Sequence, residues 1–241
     1  MSTDYFGEDV AARYDETIGR WGDPEVVESA VDFLVELARG GVALELGIGT
    51  GRIALPLAAR GVRVHGIDLS EAMVARLRAK PGGSEIPVAI GDFATTRVGE
   101  RFTLAYVVFN TILNLTTQEA QVACFENVAA HLEQGGCFVI ETDLPALRKL
   151  PAGETLHVAE ASAEHYCIDE YDIADQGLIS HHVWPAEGRA MSVPFRYVWP
   201  SELDLMARIA GMRPRERWSG WRREPFTSES RTLVGVWENP G

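Results

Sequence analysis

The chain has 241 residues and carries 22 Lys and Arg against 35 Asp and Glu, a net charge of −13. So acidic a chain lacks the basic footprint that phosphate backbones and anionic membranes require, which excludes nucleic acid and membrane as expected partners. A hydrophobic fraction of 46% at this length suits one α/β domain with an elaboration, and no apolar run reaches the roughly 18 residues of a membrane span.

The N-terminus, Met1-Ser2-Thr3-Asp4-Tyr5, has no basic-then-apolar profile, so a cytoplasmic protein is expected. Cys124, Cys137 and Cys167 are odd in number and lack metal-ligand spacing, which reads as buried free thiols with no metal site. Residues 1–22 hold Tyr5, Phe6, Tyr14 and Trp21 among acids, and Val10–Asp15 reads as a short helix. Tyr14 is there either to staple this segment onto the main body or to cover a ligand cleft.

Asp23-Pro24-Glu25 is a helix start, with a capping carboxylate, Pro at the first position and an acid in the first turn. Val27, Ala30, Val31, Leu34 and Ala38 share one face until Gly40-Gly41 ends the helix. The apolar run Val42-Ala43-Leu44-Glu45-Leu46 reads as a buried strand. It runs into Gly47-Ile48-Gly49-Thr50-Gly51-Arg52 and a helix to about Arg60. A strand entering a helix through such glycines offers backbone N–H groups to a ligand that can approach closely.

A second strand, Val62–Asp68, ends in a carboxylate placed to accept two hydrogen bonds from a ribose diol. Ser70 then caps a helix carrying Glu71, Met73, Val74 and Leu77. Ile86–Ile90 is a third strand, followed by Gly91-Asp92-Phe93, whose acid can accept from an adenine amino group while the aromatic packs on the ring. The fourth strand, Phe102–Phe109, is apolar almost throughout, and its carboxyl end puts Phe109 and Asn110 at the ligand crevice. Thr116-x-x-Glu119 is a capping-box pattern opening a helix that stops at Gly135-Gly136, and Cys137–Glu141 is strand five.

Beyond this point the β–α alternation fails. Residues 155–199 predict three or four antiparallel strands, with Leu178–Trp184 pairing a strand in which Met191, Val193, Phe195, Tyr197 and Trp199 alternate. Pro200-Ser201-Glu202 restarts a helix to about Ala210, and two strands near Arg213–Ser219 and Arg231–Trp237 close the chain. The arginines at 208, 213, 215, 217, 222, 223 and 231 are a solvated face paired with acids elsewhere, or an anion-binding patch.

G-x-G-x-G with an acid two residues before the first glycine, together with Asp68, Asp92-Phe93 and Leu132-x-x-Gly135-Gly136, resembles class I S-adenosylmethionine (SAM) methyltransferases. The chain looks most like the small-molecule type from actinobacteria, which includes amino-sugar N-methyltransferases. The resemblance implies a Rossmann-like sheet of seven mostly parallel strands with helices on both faces, and an inserted antiparallel β subdomain after strand five. It implies SAM as cofactor, with Glu45 near the methionine amino group and Gly47, Gly49 and Gly51 making room for the amino-acid tail. Asp68, Leu69, Met73, Asp92, Phe93 and Phe109 are assigned to the cofactor, as is Tyr14 in a Tyr-Asp lid, and Trp21 and Asn110 to the substrate.

The implied organisation is 1–22 as a lid, 23–142 as the SAM-binding core, 143–199 as a substrate cover or dimerisation region, and 200–241 completing the core. Methyl transfer would go to a small-molecule nitrogen or oxygen, in a monomer or homodimer. Where the acceptor needs a base, His157, His165, His181 and His182 are the candidates, and the adjacent pair His181-His182 points to opposite faces of a strand. An NAD(P) oxidoreductase is a rival, opposed by Arg52 where a dinucleotide fingerprint has glycine and by the acid at Glu45. A SAM-binding regulator without turnover is the other.

Overall fold

A computed structural model describes residues 5–17 and 19–241, with Arg20 and Trp21 described in backbone only. Helix and strand alternate at first: α1 (Glu8–Thr17), α2 (Pro24–Ala38), β1 (Val42–Leu46), α3 (Ala54–Ala59), β2 (Arg63–Asp68), α4 (Glu71–Arg78), β3 (Val88–Ile90), β4 (Phe102–Val107), α5 (Gln118–His131) and β5 (Leu132–Asp143). Four strands follow, β6 (Leu156–Ala161), β7 (Tyr166–Asp172), β8 (Gly177–Trp184) and β9 (Arg189–Arg196), then α6 (Pro200–Ile209), β10 (Arg213–Trp218) and β11 (Thr232–Glu238).

Seven strands form one sheet in the order β10-β11-β5-β4-β1-β2-β3, with β1 parallel to β2 and β4, and β11 antiparallel to both its neighbours. The strand order reverses between β1 and β4, and in open α/β sheets the crevice opens at the carboxyl ends of such a pair. Alternate residues of each strand serve opposite faces, so both faces must be covered and the strands read as continuous apolar runs. Leu44, Ala105, Phe138 and Leu233 pack with Phe125 of α5 and Met206 of α6. Ala43, Leu104, Val139 and Val234 pack with Leu34 of α2 and Leu57 of α3 on the other side.

The inserted strands make a separate antiparallel sheet, β6-β7-β8-β9. Its edge strand β9 accommodates Pro194, opposite Ile179, because a missing N–H is tolerated where no further strand pairs. The three cysteines are free and buried. The C-terminal arginines face acids, among them Arg217–Asp204 at 2.6 Å, Arg223–Glu36 at 2.6 Å and Arg222–Glu25 at 3.3 Å, which favours the paired face over the anion patch.

Three boundaries differ from expectation. Thr117, not Thr116, caps α5, its hydroxyl accepting from Ala120 N at 3.1 Å. β5 begins at Leu132 and contains Gly135-Gly136, because Asn239 beyond β11 pairs with both glycines and extends the ladder. β4 ends at Val107, since Phe109 and Asn110 both turn to positive φ, +58° and +59°.

Candidate active site

The turn after β1 needs its glycines for two different reasons. Gly47 has φ +71°, and a Cβ there would stand 2.5 Å from Thr111 Cγ2, so only glycine keeps the crevice open beside Thr111. Gly51 has φ +83° and a Cβ there would run into the Leu77 side chain, so it lets α4 pack closely. The crevice above the turn has two adjoining parts sharing Tyr14, Gly47, Gly49 and Thr111. The larger, about 750 Å³, is bordered by Asp68, Leu69, Met73, Asp92 and Phe93. The smaller, about 290 Å³, is bordered by Glu45, Thr50, Arg52, Val108 and Phe109.

Three carboxylates from successive strand ends meet this crevice. Glu45 is 3% exposed and accepts from the Tyr106 hydroxyl at 2.9 Å. Burial pushes its carboxyl up to about 8, against the opposing pull of Tyr106 and the Arg52 charge. Asp68 accepts from Gly49 N at 2.6 Å and from Ser70 N at 2.8 Å, which ties the glycine turn to the start of α4. Asp92 accepts from Ala94 N at 2.9 Å.

The N-terminal segment closes over these groups. Tyr14 meets Phe6 and Phe109 edge to face at 6.2 and 6.3 Å, and burial holds its hydroxyl neutral by raising its pKa. Asp15 accepts from the Thr50 hydroxyl at 2.6 Å and pairs with Lys80 at 2.6 Å. Ser70, already the cap of α4, donates to Phe6 O at 2.7 Å.

The opposite wall is the left-handed pair Phe109-Asn110, a conformation that non-glycine residues hold only when their surroundings impose it. Glu141 supplies part of that constraint, accepting from Phe109 N at 3.1 Å and from Trp221 Nε1 at 2.7 Å. Asn110 supplies the rest, its Oδ1 accepting from Asp143 N at 2.5 Å and the Thr142 hydroxyl at 3.2 Å while its amide donates to Asp143 at 3.1 Å. Burial raises the Glu141 carboxyl above the usual range.

Ten of the residues singled out from the sequence border the crevice: Tyr14, Glu45, Gly47, Gly49, Asp68, Leu69, Met73, Asp92, Phe93 and Phe109. Gly51 and Asn110 brace its walls without bordering it. The side chain of Trp21 lies outside the described residues. His181 and His182 lie in the inserted sheet and border neither part of the crevice. His181 meets Glu170 at 3.2 Å and Ser192 at 2.9 Å, while His182 stacks on His165 and Trp184 at 5.2 and 5.7 Å. Burial and the neighbouring His165 lower the His182 pKa. Sequence reasoning missed Thr50, Ser70, Thr111 and Pro194 as lining residues, and it used Arg52 only as a missing glycine.

Known proteins similar to this chain are methyltransferases. Residues 43–136 match the methyltransferase domain family. The CcbJ methyltransferase from Streptomyces caelestis is 35% identical with a TM-score of 0.86, covering 98% of both chains. The cypemycin N-terminal methyltransferase of a Streptomyces species is 27% identical over 206 residues, 83% of each protein. SAM-bound CalS10, an amino pentose methyltransferase from Micromonospora echinaspora, has the same fold, with a TM-score of 0.69 at 21% identity over 95% of each chain. With the fold, the crevice and these relatives in agreement, the chain belongs to the methyltransferase domain family and is a SAM-dependent methyltransferase.

Proposed function

We propose that the protein transfers the methyl group of SAM to an amine nitrogen of a small molecule. The observation that carries this reading is the row of carboxylates, Glu45, Asp68 and Asp92, around one crevice at the strand reversal. Gly47 leaves room for the cofactor's amino-acid end, Glu45 holds its ammonium, and Asp68 accepts from both ribose hydroxyls. Asp92 accepts from the adenine amino group, with Leu69, Met73 and Phe93 packing on the ring. SAM, when bound, supplies a methyl already activated on a cationic sulfonium, so the chemistry calls for no metal. What the protein adds is alignment and exclusion of water, with Tyr14 and Phe109 as the aromatic walls beside the reacting centre.

Nitrogen is favoured because an amine reaches the crevice drawn by its acids and reacts as the neutral base, needing no strong general base. The names of relatives support it: one is an N-terminal methyltransferase and another an amino pentose methyltransferase. In this reading residues 1–22 are the lid, with Trp21 on the acceptor side beside Asn110, and residues 143–199 the acceptor cover. His181 and His182 then shape the cover through their sheet contacts, or serve as base if the acceptor is a hydroxyl. The net charge of −13 supports action without nucleic acid or anionic membrane, and we take the protein to act in the cytoplasm as monomer or homodimer; among the described residues no helix is long and apolar enough to cross a membrane.

Incubation with methyl-labelled SAM and a panel of small amines and alcohols, read by mass spectrometry, tests the reading. Label on nitrogen, lost in Asp68→Ala, is expected; label only on oxygen, or none with any acceptor, overturns it.

A further inference from the structure

Glu141 is a buried acid that the cofactor reading leaves without a task. It sits near the carboxyl end of β5, is 5% exposed, and pairs in the ladder with Val234 of β11. An apolar residue would fill such a place without electrostatic penalty, whereas a carboxyl taken out of water needs hydrogen bonds to offset the loss. Burial does raise its pKa, and what opposes burial is first the Phe109 N–H, then the Trp221 indole, then the Arg52 charge. The two oxygens are divided between the two donors. Oε2 accepts from Phe109 N at 3.1 Å and Oε1 from Trp221 Nε1 at 2.7 Å.

These donors come from separate parts of the fold. Phe109 opens the left-handed pair that walls the crevice, and its ring gathers two other parts of that crevice. Tyr14 of α1 meets the ring edge to face at 6.3 Å, and the Arg52 guanidinium, from the glycine turn, lies 5.2 Å from its centroid. Trp221 lies in the connection between β10 and β11, borders neither part of the crevice, and packs on Phe33 of α2 at 5.5 Å. A non-glycine residue leaves the left-handed region when its restraint is removed. At position 109 that relaxation would swing the ring away from Tyr14 and Arg52 together.

We propose that Glu141 is a positioning residue for the cofactor crevice, clamping the Phe109 backbone to the Trp221 indole so that the ring stays where α1 and the glycine turn meet it. The far end of the clamp is Trp221, so a change in the β10–β11 connection reaches the cofactor without touching it. The proposal rests on the cofactor reading above and adds to it a residue that touches no ligand.

The test combines calorimetric dissociation constants for S-adenosylhomocysteine, taken well below each variant's melting temperature, with NMR of the Phe109 amide and the Trp221 indole. In Glu141→Gln one oxygen becomes an amide NH2 that meets an N–H head on, so both resonances should move and the dissociation constant should rise about tenfold or more. Trp221→Phe removes one donor and should raise it about threefold. It also removes the clash, so Glu141→Gln combined with Trp221→Phe should bind more tightly than Glu141→Gln alone, a rescue that a merely structural role does not give. Val128 is buried in the turn of α5 that leads into the amino end of β5, at the far edge of the sheet from the crevice. Val128→Ala lowers stability through a cavity and should leave the dissociation constant within about twofold. Wild-type affinity in Glu141→Gln, a double variant that binds no tighter than Glu141→Gln, or equal weakening in Val128→Ala overturns the proposal. A wild type that binds no S-adenosylhomocysteine overturns the cofactor reading; the NMR then decides the clamp, and resonances unmoved by Glu141→Gln overturn it as well.

Discussion

Glu45 and Tyr106 face each other across β1 and β4, and the tyrosine hydroxyl donates to the carboxyl at 2.9 Å inside a layer where both are buried. Burial lifts Glu45 to about 8, so the unliganded protein holds it protonated at neutral pH. A carboxyl raised in the folded state penalises folding least below its unfolded value of about 4.3, and stability declines as pH rises toward about 8. Glu45→Gln removes that decline. In thermal melts the variant is expected to match the wild type near pH 5 and to melt higher near pH 8.5. It should nonetheless bind SAM at least about tenfold more weakly, for want of an anion opposite the ammonium. A variant that melts lower at pH 8.5 would refute this.

Asp68 carries two burdens, the turn amides Gly49 N and Ser70 N and the proposed ribose diol. Asp68→Ala should raise the dissociation constant for S-adenosylhomocysteine by about 30-fold or more, the loss of charged hydrogen bonds. It should also lower the melting temperature, because a buried amide loses its acceptor. Calorimetry and thermal melts read the two effects separately.

Helix α1, the proposed lid, is tied to the core where Asp15 meets Lys80 and Thr50. These contacts lie near the surface, where an ion pair adds little to global stability. Lys80→Met is therefore expected to leave the melting temperature within about 1 °C while weakening SAM binding by about threefold to tenfold. A large fall in melting temperature with unchanged binding would show that the tie serves folding instead.

Arg196, at the end of β9, is enclosed by Gln121 at 2.5 Å and Glu202 at 2.7 Å, with Glu202 also accepting from Gln176 and Gln118. Burial tends to raise the Glu202 carboxyl, but those hydrogen bonds and Arg196 outweigh it and the net pKa is lowered. A lowered carboxyl contributes stability above its unfolded pKa that is lost as pH falls through its folded value, so the acid limb of a stability profile below about pH 4 should contain this pair. Arg196→Ala leaves the partly buried Glu202 without its cation and should cost about 1.5–3 kcal/mol at pH 7 in urea unfolding, with a flatter acid limb.

The parallel core was legible because fully buried strands, glycine turns and caps leave local marks: Glu45, Asp68 and Asp92 stand at strand ends that could be counted along the chain. Ser70 was legible as a cap, but not as the anchor of Phe6, since that contact spans 64 residues. Asn110, expected at the crevice, borders neither part of it, and its side chain is occupied by Asp143, a partner no local pattern announces. Arg52 was read against a motif, so its chemistry as a cation was passed over. The histidines drew attention by residue type alone, and their cross-strand partners in β7 and β9 decide their surroundings.

β11 follows the other six strands of its sheet in the sequence, yet it lies inside that sheet, between β5 and β10, and pairs Thr232–Glu238 with Cys137–Asp143. On a ribosome, β5 therefore remains an unsatisfied edge while roughly a hundred further residues emerge, a long loop whose closure comes late. The hairpins β6–β9 have only near neighbours to find and can assemble in the meantime, sequestering apolar strands that would otherwise be exposed beside that open edge. Removing residues 232–241 would thus take out an interior strand with the buried Leu233 and Trp237, leaving a chain with an exposed pairing edge and a direct route to aggregation.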